Sequence, residues 1–530
     1  MKHHRYLTLF IWLFVALGIW LRIDQYLFNR SLWLDEAFFA VNFLNRDFWT
    51  ILQLPLDYSH SHIAPPGFML ITQFLIDQFG NFDSVIRLYP LTAGILSLIM
   101  FALLARATLS PVAVPIAVFL FAVSGSLIDY STDFKQYSSD VFFTVSLLWL
   151  GVTWQHLQLT IGRGLLLLLL GITVVWFSHP AIFILAAIGG YWGLHMLEQR
   201  QWKSLGVLTL IGVAWIISTI MMYKFVSNGG IASSPIGEWL LKFWSLQQSY
   251  MPNPFTEVGQ QWLVTKFSSA FNYPADLGQH IYTASLPVLL FLFGCMALVF
   301  KKRQLLFFTT VVIGLTLLLS HFKAYPFGER LILFLVPIFY LVIAEAIAQL
   351  KVTIEDYPHQ WVSYVAQLAL VIALVYPLHS VWIYKQKQEV KPLMQYLQTE
   401  KQVQDKLYLY HWAEPAFRYY APHYGFDYKS CHLISPIPEQ EFTKEIDYYR
   451  QKHGMQPVDV NQTRCFLGVS ESFHQSIPDL NQLKGQGRIW FLFLHHSWEG
   501  RDLFLQHLDG IGTRLDSRHD IAADLYLYDL

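Results

Sequence analysis

The chain has 530 residues, of which 54% are hydrophobic, 16% aromatic and only 14% charged, against the roughly one-quarter charged content of an ordinary soluble domain. A formal net charge of −1 excludes the clustered basic excess of a nucleic-acid-binding surface. Cys295 lies in an apolar run, and Cys431 and Cys465 lie in the polar C-terminal region, which excludes a disulfide framework or a cysteine zinc cluster and allows at most one bridge, Cys431 to Cys465.

The N-terminus opens on Met1, Lys2, His3, His4 and Arg5 and then turns apolar from Tyr6 to Leu21. Arg22, Ile23 and Asp24 follow, without the small-x-small pattern of a cleavage site, so the run reads as an uncleaved first span. Further apolar runs lie at 88–105, 111–128, 141–154, 164–177, 181–197, 205–223, 281–300, 305–320, 331–348 and 361–383. With the first at 7–21 they make eleven candidate spans. Those at 141–154 and 164–177 are shorter than the roughly 20 residues of a perpendicular helix and must draw on flanking polar residues.

Basic residues of short loops are retained on the cytoplasmic side. With the N-terminus inside, the inner loops carry Arg106, Arg163, Arg200, Lys203, Lys301, Lys302, Arg303 and Lys351, whereas the short outer loops carry Lys135, Lys323 and Arg330. An odd number of spans then places 384–530 outside, together with the long loops 22–87 and 224–280. The expected architecture is an α-helical polytopic membrane module over 1–383 and a small extracytoplasmic α/β domain over 384–530. In that domain β-type runs at 406–410, 464–469, 488–494 and 523–528 alternate with helical stretches at 390–400 and 503–510.

Four polar clusters fall on the outer side. In the first, Asp35 and Glu36 stand in the aromatic stretch from Leu32 to Phe39; consecutive residues point to different sides of a helix, so one can face a cavity while the other makes a structural contact. In the second, Pro65 and Pro66 can open a helix whose free amides would suit an anion, with His60 and His62 just before them. In the third, Asp129, Asp133, Lys135, Tyr137 and Asp140 crowd one short loop, where carboxylates could hold a divalent ion and Lys135 a phosphate. In the fourth, Lys323, Glu329 and Arg330 lead into an apolar run; Arg330, with Glu329 as its neighbour, could snorkel to headgroups or grip a lipid phosphate bidentately. His179 could join this outer group. No nucleotide-binding GxxxxGK[ST] or strand-borne GxGxxG is present.

The order and placement of these stretches over about 7–348 resemble the GT-C superfamily of membrane glycosyltransferases, specifically the protein O-mannosyltransferase and aminoarabinose (lipid A) transferase families. The matching features are Leu34-Asp35-Glu36-Ala37 after the first span, Pro65-Pro66 before the second, Asp133 to Tyr137 after the third, and Tyr325 to Pro337 with Gly328 and Arg330 at a late span. The resemblance implies an inverting transfer from a polyprenyl-phosphate-linked sugar to a hydroxyl acceptor at the outer face of a bacterial cytoplasmic membrane. It also implies Asp35 as base, with Glu36 beside it as a second catalytic carboxylate. His62, Lys135, Tyr137, Lys323 and Arg330 are the implied phosphate- and substrate-binding residues, and Asp133 the ligand of a divalent metal ion if one is used. The family often has a basic residue directly before Pro-Pro, where this chain has Ala64, and Arg-Pro-Tyr in the third loop, where this chain has Lys135-Gln136-Tyr137. A transporter or flippase of lipid-linked sugars is the reading of a different class, in which the same charges would line a pathway. The lack of an evident internal repeat and the one-sided placement of ionisable residues count against it.

Overall fold

A computed structural model describes residues 2–52, 56, 64–155, 159–226, 235–277, 285–354, 360–375, 386–434, 459–468, 473–496 and 498–530. In its described part each of the eleven apolar runs lies mainly on helix, that at 281–300 being described from residue 285 and the last through residue 375. Among the described residues six helical stretches are long and apolar enough to cross a membrane: Tyr6–Phe28, Asp83–Thr108, Ala181–Glu198, Trp202–Val226, Arg303–His321 and Glu329–Leu350. Shorter apolar helices at Ala113–Val123, Ile161–Val174, Ser285–Phe300 and Val365–Leu374 stand among them. Glu329–Leu350 is the most deeply packed of these, with 94% of its 18-residue apolar window buried. At Gly294 an added Cβ would lie 2.4 Å from the Val342 carbonyl oxygen, so the neighbouring helix can approach this closely only without a side chain there.

Two departures from the sequence reading have local causes. The first helix, α1 (Lys2–Phe28), runs well past Leu21. Arg22 does not end it but is buried inside the bundle, donating to the carbonyls of Gly18 (2.9 Å), Ala122 (3.3 Å) and Phe121 (3.4 Å). The latter two belong to the last turn of helix Ala113–Val123, whose terminal carbonyls have no intrahelical partners. The run 111–128 is correspondingly broken at Ser124 and resumes as a short helix, Gly125–Asp129, capped by the Ser124 hydroxyl.

Outside the bundle, the segment after α1 forms two helices, α2 (Leu34–Ala40) and α3 (Pro66–Phe79). The C-terminal domain is a six-stranded sheet of order β2-β3-β1-β4-β6-β5, with β1 Lys406–Leu409, β2 Cys431–Leu433, β3 Cys465–Leu467, β4 Arg488–Leu494, β5 Thr513–Asp520 and β6 Ala523–Asp529. The first four are parallel, and β6 runs antiparallel to β4 and β5. Cys431 and Cys465 stand opposite each other on β2 and β3 and are joined by a disulfide. The domain docks on the segment that follows α1: the Tyr420 hydroxyl accepts from the Leu32 amide (2.8 Å) and donates to Asp83 (2.7 Å), and Phe38 of α2 meets Trp412 edge to face. Phe38, Phe39 and Phe43 accordingly share one apolar cluster with the sheet, separate from that of the membrane helices.

Candidate active site

Glu36 and Asp35 leave α2 in different directions. Glu36 is fully buried: its carboxylate receives the Arg87 guanidinium at 2.7 and 3.0 Å and the Phe134 amide at 2.6 Å, and bonds the Trp33 amide at 3.4 Å. Arg87 in turn donates to the carbonyls of Arg30 (2.6 Å) and Ser31 (3.3 Å). Although burial opposes ionisation, Arg87, Arg30 and the Phe134 amide hold the Glu36 carboxyl below the usual carboxylate range. Glu36 thus ties together the segment before α2, α2 itself and the loop that carries Phe134, and its engaged oxygens suit a positioning role.

Asp35 faces the other way and pairs with Arg330 at 2.6 Å. The guanidinium arrives there because the chain turns sharply just before it. Gly328 is extended and Glu329 adopts the left-handed region (φ 47°), at a cost on the order of 1–3 kcal/mol. Glu329, the expected neighbour of Arg330, is exposed; the ion-pair partner is Asp35 instead. Arg330 lies 5.6 Å from the centre of the Trp33 ring and has Tyr137, Asp35, Tyr130 and Tyr273 as electrostatic neighbours.

Behind this pair lies a second set of charges. Arg30 bridges Asp129 (2.9 Å) and Asp133, and Lys387 bridges the same two carboxylates at 3.1 and 2.6 Å. The Lys387 ammonium also stands 4.8 Å from the centre of the Trp33 ring and 5.3 Å from that of Tyr130. Lys135 is different. It is 2% exposed, its ammonium has no hydrogen-bond partner among the described residues, and it stands 5.6 Å from the centre of the Phe39 ring. Burial pushes it down to about 8, with Asp35 and Glu36 opposing and Arg330 and Lys387 reinforcing the shift.

No family model matches the chain, and no curated protein sequence matches it. Among solved structures it is similar to ArnT from Cupriavidus metallidurans bound to undecaprenyl phosphate, with TM-score 0.54 and 12% identity over 97% of both chains. It is also similar to the same protein in the apo state, with TM-score 0.53 and 12% identity over 98% of both. The chain has the GT-C fold. A weaker similarity, TM-score 0.46 at 11% identity over 84% of this chain and 69% of the other, is to the Archaeoglobus fulgidus oligosaccharyltransferase.

Within this GT-C fold, Asp35, Lys135, Tyr137 and Arg330 are brought together as neighbours. Lys323 is not part of the group: it is exposed, in the turn after helix Arg303–His321. Asp133 directs its carboxylate at Arg30 and Lys387, an arrangement that does not fit a cation ligand. Among the described residues no group of three or more His, Cys, Asp or Glu side chains could hold a metal ion. His60 and His62 lie outside the described residues. Pro66 does open α3, but the Gly67 amide donates to the Trp176 carbonyl (2.8 Å), and an added Cβ at Gly67 would lie 2.4 Å from the Phe177 ring. The helix start is therefore packed against its neighbour, and that amide is not open to an anion. His179 is half-buried beside Ser178, whose hydroxyl donates to Asp140 at 2.6 Å. Sequence reasoning named Trp33 within the first aromatic cluster but missed Arg30, Arg87 and Lys387, whose one signal was isolated charge within otherwise aromatic or linker sequence.

Proposed function

We propose that the chain is an inverting glycosyltransferase that moves a hexose or pentose from a polyprenyl-phosphate donor to an acceptor hydroxyl at the outer face of a bacterial cytoplasmic membrane. The observation that carries this reading is the pairing of charges around Asp35. Among the described residues Arg30 and Lys387 pair with Asp129 and Asp133, Arg330 pairs with Asp35, and Arg87 pairs with Glu36. The cation left over is Lys135, sealed from water and without a hydrogen-bond partner. An uncompensated buried ammonium costs several kcal/mol, on the order of what a bound anion returns. A phosphate supplies that anion, and undecaprenyl phosphate bound to the ArnT neighbour supports one carried on a lipid. The Cys431–Cys465 disulfide supports an oxidising, extracytoplasmic setting for the C-terminal domain.

In the mechanism that follows, the donor phosphate takes Lys135 and draws the Arg330 guanidinium from Asp35, for which it competes as a bidentate acceptor. Asp35 then accepts the proton of the acceptor hydroxyl as that oxygen attacks the anomeric carbon from the face opposite the phosphate. The bond to phosphate breaks in the same displacement, and Lys135 and Arg330 stabilise the departing anion. No acid is needed to protonate the leaving group, since a lipid phosphate leaves as a stable anion. These side-chain cations supply the charge otherwise expected of a divalent ion near Asp133. The test is sugar transfer in membranes given a panel of polyprenyl-phosphate sugars, with wild type and Asp35→Asn at equal abundance. Transfer lost with donor binding retained is the expected result; transfer by Asp35→Asn at the wild-type rate removes the base assignment.

A further inference from the structure

The charges around Trp33 differ in how much water reaches them. Arg30, Asp129 and Asp133 are sealed, at 2, 7 and 0% side-chain exposure, whereas Asp35 (19%), Arg330 (13%) and Lys387 (23%) keep a partly open surface. Arg330 and Lys387 share the Trp33 ring, and Lys135 feels both of them. The partly open residues thus gather around the Trp33 ring, and the sealed carboxylates of Asp129 and Asp133 pair with the Lys387 ammonium there. The backbone that carries Lys387 is fixed on both sides. Glu389 accepts from the Ser31 hydroxyl (2.8 Å) and amide (3.3 Å), next to Arg30, while its own amide donates to Ile521 in the turn between β5 and β6 (2.9 Å). The Ser31 hydroxyl also accepts the Val390 and Lys391 amides, each at 3.1 Å.

We infer that Lys387, from the linker joining the membrane module to the C-terminal domain, is a third cation of the anion site and contacts the donor phosphate. The inference rests on the lipid-phosphate reading above and extends it: the membrane site is complete only when the linker is clamped between Ser31 and the β-sheet. Asp129 and Asp133 become positioning residues, which act through Lys387 and not on the substrate. Two carboxylates already screen the Lys387 charge, so it adds to the grip of Arg330 and Lys135 and does not replace either.

The experiment is binding of undecaprenyl phosphate to the purified full-length protein, with undecaprenol as the uncharged control. Removal of one charge-assisted contact predicts that Lys387→Gln weakens phosphate-dependent binding by about tenfold or more, that undecaprenol binding is unchanged, and that Lys387→Arg restores most of the loss. The double variant Lys387→Gln with Asp129→Asn rebalances the buried charges, leaving Arg30 with Asp133, and it separates two roles. If Lys387 only neutralises the buried carboxylates, the double variant recovers wild-type affinity and the inference is overturned; persistent weak binding supports a direct contact. The same double variant carries the comparison if Lys387→Gln alone does not fold. Wild-type protein that binds undecaprenyl phosphate no better than undecaprenol overturns the lipid-phosphate reading itself, whereas wild-type-like binding by Lys387→Gln overturns only the role of Lys387.

Discussion

Lys135→Met should stabilise the protein free of ligand and damage its function, and the size of the gain follows from the ammonium's surroundings. Burial moves the Lys135 ammonium from its ordinary 10.5 to about 8; at 1.36 kcal/mol per tenfold change this is a penalty on the order of 3 kcal/mol for holding the charge at neutral pH. The sign is set by where protons bind. Below about 8 the lysine is charged both folded and unfolded, and the whole penalty is present; between about 8 and 10.5 the unfolded chain binds the extra proton, so stability rises with pH and the penalty fades. The assay is unfolding of purified wild type and Lys135→Met in the same detergent, at about pH 7 and about pH 9.5, values on either side of the titration. Lys135→Met should be the more stable at the lower pH, and the gap should narrow at the higher. Binding of undecaprenyl phosphate to the wild type should take up a proton above about pH 8, because the anion restores the charged form, and Lys135→Met should show neither the uptake nor tight binding. A stability gap of the same size at both values, or a variant that binds the lipid phosphate as wild type does, refutes the argument.

Glu36→Gln should behave in the opposite way. It leaves Arg87 buried opposite a neutral amide, a loss of about 3–5 kcal/mol, read as a fall in membrane abundance and in thermal midpoint; Glu36→Gln combined with Arg87→Met should recover part of it, and a Glu36→Gln protein as stable as wild type would count against the closed pair. The disulfide closes a loop of 34 residues, which corresponds to about 4 kcal/mol of restraint on the unfolded C-terminal domain. Maleimide should therefore label only Cys295 in the denatured, unreduced protein, and Cys465→Ser should make the domain more susceptible to proteolysis. Labelling at Cys431 or Cys465 before reduction would contradict the bridge.

Hydropathy is a local property, and the helices it marks could be read from the chain directly. The same holds for β1, β4 and β6, whose apolar runs are buried, and for the helix that opens at Pro66. β5 escaped because its sequence, Thr513–Asp520, is charged and largely exposed at the edge of the sheet, where polar side chains guard against further pairing. β2 is a three-residue edge strand and offers no period to detect. Charge pairing is the part that sequence proximity misjudges. Arg330 stands beside Glu329 in the chain but pairs with Asp35, and Lys387 reaches Asp133 across a separation of 254 positions. Arg22 looked like the end of a span for the same reason, since two of its three carbonyl acceptors belong to another helix. Candidate residues were legible by type, whereas their partners required the fold.

The Asp35–Arg330 pair poses a chemical difficulty that the rest of the site answers. A carboxylate held by a guanidinium at 2.6 Å is a weak base, because the ion pair stabilises its charged form and so lowers its affinity for a proton. The pair is, however, less sealed than two of the salt bridges near it: Glu36–Arg87 and Arg30–Asp133 are almost wholly buried, whereas both members of Asp35–Arg330 retain some exposure. A phosphate entering beside Lys135 competes for Arg330 with two oxygens and shares the lysine. As the guanidinium turns to the phosphate, Asp35 loses its stabilising partner and becomes a better acceptor of the hydroxyl proton. Base strength is thereby coupled to donor binding, so that an acceptor or a water molecule arriving first meets a carboxylate still tied to Arg330. The coupling predicts that Arg330→Lys, which keeps the charge but loses the bidentate geometry, lowers kcat more than it raises the donor KM. A variant in which only the donor KM changed would mean that Arg330 binds the phosphate without controlling Asp35.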